Sequence, residues 1–178
     1  MKSTVAYISA VAITLALCLI ATGAQAARLE METKSLKGIV GVYVVVETPA
    51  TDLRADGLDD HAIESLINER LSTAGIRTLS EAELSKPGAA IFYVAISSVK
   101  NTSGLYACSI HAEVIQAAAL SRDPNILTPA TTWTSSTMGI VNSSAVRTVN
   151  DSVVSLTNEF IRDFLRTNSK PTIKQKIA

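Results

Sequence analysis

The chain has 178 residues, and its 16 basic groups balance its 16 acidic ones. That balance excludes a protein built for broad nucleic-acid binding, which neutralises phosphates with clusters of lysine and arginine. Hydrophobic residues make up 47% of the chain, enough for one domain with a real core, and two cysteines are too few for a disulfide framework.

Met1 and Lys2 open a short positive region. An apolar run from Val5 to Ile20 follows, and then small residues ending at Ala26. This is the pattern of a secretory signal peptide, with Ala24 and Ala26 framing cleavage between Ala26 and Ala27. The run approaches the length of a membrane span, but Thr14, the alanines and the cleavage frame favour a cleaved leader over an anchor. Cys18 follows Leu15, Ala16 and Leu17, without the small residue that precedes a lipid-modified cysteine, so it reads as apolar filler. No later segment reaches spanning length. The expected organisation is a signal peptide at 1–26, a single α+β domain at 27–168 and a flexible basic tail at 169–178. The mature chain is expected to be periplasmic or secreted and not membrane-spanning.

Ile39 to Val46 is a nearly continuous β-branched and aromatic run, which predicts a strand covered on both faces and central in a sheet. Residues 48–60 are turn chemistry. Ile63, Leu66, Ile67, Leu71 and Ala74 then recur at helical spacing, with Asp59 or Asp60 to cap the start and Gly75 to stop the helix. Ile76 to Ser80 reads as a strand returning parallel to the first, and Pro87-Gly88 as a break.

Ala90 to Val99 predicts a further strand, and Asn101 to Gly104 a hairpin turn. After it Tyr106, Cys108, Ile110, Ala112 and Val114 alternate with Ala107, Ser109, His111 and Glu113, so the strand has one apolar face and one wet one. Cys108 falls on the apolar side and is expected to be buried. Residues 121–130 read as a connection and 131–141 as a last strand. Ser143 or Ser144 then caps a helix whose Val146, Val149, Val153, Leu156, Phe160 and Phe164 form one stripe ending before Pro171. The order is β-α-β-β-β-β-α. The fold class is α+β: a mixed five-stranded sheet with two main helices on one face and the other face partly open.

Little catalytic chemistry is legible. Asp59-Asp60-His61 is the one compact trio of metal-ligand types, and it coincides with a helix start, where capping accounts for the acids. No G-x-S-x-G elbow is present, and the glycines match no phosphate-binding pattern. His111 beside Glu113 could pair as base and orienting acid, though an ordinary polar sheet face explains both more simply. Trp133, the sole tryptophan, either packs in the core or anchors a partner. The sequence assigns no catalytic, metal or cofactor-binding residue and no cofactor. Trp133, His111 and Glu113 are the candidate partner contacts.

The strand GVYVVVE, the helix end at Leu71–Ile76, the Gly104–Ala107 hairpin and the Thr132-Trp133 strand together resemble a family of small exported bacterial proteins of unknown function. More distantly the topology resembles the amino-terminal domain of the Tol–Pal periplasmic protein and lipoprotein activators of cell-wall synthases. The resemblance implies partner binding in the cell envelope without catalysis. The expected function is therefore a non-catalytic envelope protein-interaction module whose partner is another envelope protein. The alternative is a carrier for a small apolar ligand held between sheet and helices, in a cavity lined by residues such as Phe160 and Phe164.

Overall fold

A computed structural model describes residues 29–168. The expected leader, the expected cleavage between Ala26 and Ala27 and the expected basic tail at 169–178 lie outside the described residues. Helical residues 29–35 (α1) lead into strand β1 (Gly41–Val46), helices α2 (Thr51–Ala55) and α3 (Asp60–Thr73), strands β2 (Ala89–Lys100), β3 (Leu105–Leu120) and β4 (Asp123–Asn142), and helix α4 (Val149–Asn168). The four strands form one sheet in the order β1-β2-β3-β4. β1 is parallel to β2, and the other pairs are antiparallel.

Local chemistry accounts for most of the elements. Asp59 Oδ1 accepts from the backbone N–H groups of His61 and Ala62, at 3.0 and 3.3 Å, which caps α3. The buried stripe of α3 is Ile63, Ile67 and Leu71. In the β2–β3 turn Asn101 Oδ1 accepts from the Ser103 and Leu105 N–H groups, and Gly104 supplies the required φ of +82°. Residues Ser143–Thr148 first make a 3₁₀ turn, so α4 starts at Val149, later than a Ser143 or Ser144 cap would put it.

The sheet has four strands, not the five expected. Ile76 to Ser80 meets β1 through a single isolated bridge, Val42 to Thr78. The Val42 N–H donates to the Arg77 carbonyl at 2.9 Å, and the Leu79 N–H donates to the Val42 carbonyl at 2.8 Å. The chain then turns away into the Ser80–Glu83 capping box before any ladder forms. Consequently β1 ends the sheet order instead of lying at its centre. Residues 121–130 are also not a plain connection. β3 and β4 stay paired through Ala117–Pro129 and Ala119–Leu127, beyond the last β2 partner at Ile115. Pro124 and Pro129 are tolerated there because β4 is an edge strand, whose outward N–H positions have no ladder partner to lose.

α3 packs on β1, α4 on β3 and β4, and the two helices on each other, so both main helices lie on one face. Under them lie Val42, Val44, Phe92, Val94, Ile110, Ala112, Val114 and Trp133, all buried. Phe92 and Phe160 stack with ring centroids 4.8 Å apart, Trp133 meets Phe160 edge-on at 5.6 Å, and Phe164 adds a fourth ring 5.7 Å from Phe160. Cys108 is buried in this layer, and burial raises its thiol pKa.

Candidate interaction surface

The face away from the helices is built in rows that the strand register fixes. Val99, Ala107 and Ile140 stand side by side across β2, β3 and β4, followed by Ser97, Ser109 and Met138, then Ala95, His111 and Ser136, then Tyr93, Glu113 and Thr134. The first row and the neighbouring Met138 are apolar and open to water: Val99 and Ile140 are each 74% exposed and Met138 82%. A shallow depression of about 410 Å³ lies over them. At the opposite end of the same face, Ile91, Ile115, Leu127 and Pro129 meet Leu84 and Pro87 around a groove of about 540 Å³.

Between these apolar ends the polar groups bind one another. Ser109 Oγ lies 2.8 Å from His111 Nε2, Thr131 Oγ1 donates to Glu113 at 2.9 Å, and the Tyr93 hydroxyl donates to Glu47 at 2.7 Å. The bond to Glu47 raises the Tyr93 pKa, aided by burial. His111 and Glu113 therefore share the open face, but Glu113 is turned to Thr131 and not to the imidazole. A serine beside a histidine on an open sheet surface lacks the enclosing site that acyl chemistry needs.

Trp133 lies elsewhere. It is 3% exposed on the helix face, where its indole Nε1 donates to Asp163 Oδ2 at 3.1 Å. Asp59 is occupied in capping α3, and Asp60 Oδ2 accepts from Thr48. Phe160 packs ring on ring against Phe92 and Trp133, and Phe164 packs against Phe160, so these contacts take the space that a ligand carrier would need there.

The structure adds two features that sequence reasoning missed. One is a partly exposed network in which the Tyr106 hydroxyl donates to Asp56 Oδ2 at 2.6 Å and Lys100 Nζ donates to the same oxygen at 2.9 Å. The bonds from Tyr106 and Lys100 hold the Asp56 carboxyl below its usual range. Its partners lie some fifty positions away, so no spacing in the sequence signals it. The other is the outer edge of β4, along which α4 runs in the opposite direction. Trp133 is level with Asp163, and Ser135 Oγ donates to Glu159 Oε2 at 2.6 Å. A groove of about 360 Å³ between strand edge and helix is lined by Ser135, Thr137, Asp151, Ser152, Ser155 and Glu159. The four-residue spacing of Asp151, Ser155 and Glu159 is the one sequence signal for this stripe.

No helix among the described residues is long and apolar enough to cross a membrane. No family model matches the chain, and no curated protein does. Among solved structures the chain is similar to a minor lipoprotein from Acinetobacter baumannii, with 12% identity, 73% of this chain and 90% of that chain covered, and a TM-score of 0.27. That is a weak likeness to a lipoprotein and carries no argument for a shared fold or role.

Proposed function

We propose that this chain is an exported, non-catalytic protein-interaction module of the cell envelope, meeting its partner through the open sheet face and the outer edge of β4. The observation that carries this is the exposed apolar row Val99–Ala107–Ile140 with Met138 beside it, set on the three antiparallel strands of the sheet. Contiguous apolar surface of this kind on a water-soluble face marks a contact site. Export rests on the leader pattern of residues 1–26. The absence of catalysis is supported by the open setting of the Ser109–His111 pair and by the engagement of Glu113 with Thr131.

In-cell cross-linking of the tagged full chain, followed by purification and mass spectrometry, tests the proposal. A recurrent stoichiometric partner is expected, and it should be lost from a Met138→Asp, Ile140→Asp double variant whose melting temperature is unchanged. Capture of the same partner by the variant would move the site off this face. Recovery of the lone protein would overturn the module. The spectrum also reads the amino terminus, where a start at Ala27 is expected.

A further inference from the structure

From Ala130 to Asn142 the edge strand β4 carries neither a charge nor a proline. Edge strands are usually protected by charged side chains, prolines or short length, because their unpaired N–H and C=O groups template another strand. β4 is the longest strand of the sheet, and both its prolines sit in its first half. A bulge at Thr132 and a hydrogen bond from Ser35 Oγ to the Thr132 carbonyl protect the edge at that point, whereas Ser136 to Asn142 has neither charge nor proline.

The groove beside that edge has a definite chemistry. Its helix side presents Asp151, Ser155 and Glu159 on one stripe with Leu156 beside them, and its strand side presents Ser135, Ser136 and Thr137; no lysine or arginine lines this groove, though Glu159 also borders the adjoining pocket that holds Arg162 and Arg166. On the other side of the edge stand Met138 and Ile140, both strongly exposed. A strand added to β4 continues both faces, with alternate side chains over the acidic groove and beside the apolar patch.

The distances select a spacing. Asp151 and Glu159 are eight helical residues apart, about 12 Å along the axis. In an extended strand, positions i and i+4 are about 13 Å apart on one face. We propose that the β4 edge binds an extended segment of a partner protein with basic residues at i and i+4, a small polar residue at i+2 and apolar residues at i+1 and i+3. The basic pair lies over Glu159 and Asp151, the small residue over Ser155, and the apolar pair beside Met138. This inference rests on the interaction-module reading and names the partner's chemistry.

Fluorescence anisotropy of the full chain with a labelled peptide, Thr-Lys-Ile-Thr-Val-Lys-Thr, tests it. Binding is expected to fall at least tenfold when both lysines are replaced by glutamate, and to be lost when the central threonine is replaced by proline, which removes a ladder donor. An Asp151→Asn, Glu159→Gln double variant with an unchanged melting temperature should bind the two charge forms alike. Equal binding of both forms to the unaltered protein, or a preference that survives in the double variant, overturns the proposal. No binding of the peptide while cross-linking still captures a partner at the sheet face removes this occupant and leaves the module standing. Sedimentation showing a dimer that Ser136→Lys dissociates would give the edge to a second copy, and would overturn the proposal.

Discussion

Phe160 of α4 lies flat on Phe92 of β2, their ring centroids 4.8 Å apart and their planes tilted by 30°. Both side chains are fully buried, and Trp133 and Phe164 close round the same ring. This contact joins the last helix to the middle of the sheet. Phe160→Ala should cost about 3–5 kcal/mol, the usual range for emptying a buried phenylalanine site, read as a lower urea midpoint at unchanged slope. Trp133→Phe should cost much less, because it keeps a ring and loses chiefly the hydrogen bond to Asp163. A Trp133→Ala variant should fail through stability and not through a selective loss of partner binding.

Two strand glycines should respond oppositely to alanine. A Cβ on Gly41 would lie 2.7 Å from the Arg77 carbonyl oxygen and 2.9 Å from a Leu79 methyl, where the backbone of residues 77–79 crosses β1. Gly41→Ala should cost about 1–3 kcal/mol, as overpacked sites do. A Cβ on Gly139 meets nothing within 4 Å, so Gly139→Ala should stay within about 0.5 kcal/mol of the parent or stabilise it slightly. Paired thermal melts decide both.

Glu83 makes part of the stability acid-sensitive. The Ser80 backbone N–H, then Lys86, the Ser80 hydroxyl and Arg77, hold its carboxyl down to about 2 against an ordinary 4.5. A carboxylate with a depressed native pKa contributes stability that is fully present above its unfolded value and is lost as pH falls through the native one. The melting temperature should therefore decline between about pH 4.5 and pH 2, and Glu83→Gln should remove this group's share of the slope. An identical slope in the variant would assign the acid sensitivity to other carboxylates, Asp56 first among them.

Cys108 should be chemically quiet. Its residue is 4% exposed, and burial keeps its thiol protonated past the usual range. Labelling by a disulfide reagent should be slow in the folded chain and fast in denaturant. Rapid native labelling would show that the β3–β4 layer opens readily.

The parts of this fold that were legible in the sequence are those set by near neighbours. The Asp59 cap, the Ile63–Ile67–Leu71 stripe, the Asn101–Gly104 turn and the alternation from Tyr106 to Val114 each depend on residues within a few positions. The fifth strand failed because Ile76 to Ser80 has strand-like residues, whereas pairing depends on how long the chain stays alongside β1, and it leaves after one bridge. The length of β4 was missed because prolines normally end strands, and only edge position excuses them. At the surface, the alternation in β3 foretold that His111 and Glu113 share the open face. Whether Trp133 pointed to the partner or to the core depended on α4, which returns only at Asp163. The acidic groove needed the same long-range alignment of β4 and α4.

The parallel pairing of β1 with β2 has a kinetic consequence. β2, β3 and β4 are joined by short turns, so their ladders close over small loops, whereas β1 meets β2 only after residues 47–88 have been threaded through α2 and α3. Loop-closure entropy makes the local hairpins the earlier event and the parallel pair the later one. Ile110→Val should accordingly slow refolding, while Val44→Ala should mainly speed unfolding. The acidic groove would then take shape only when α4 docks on the finished hairpins, and until then Phe92 and Trp133 on the sheet would lack the Phe160 ring that packs against them.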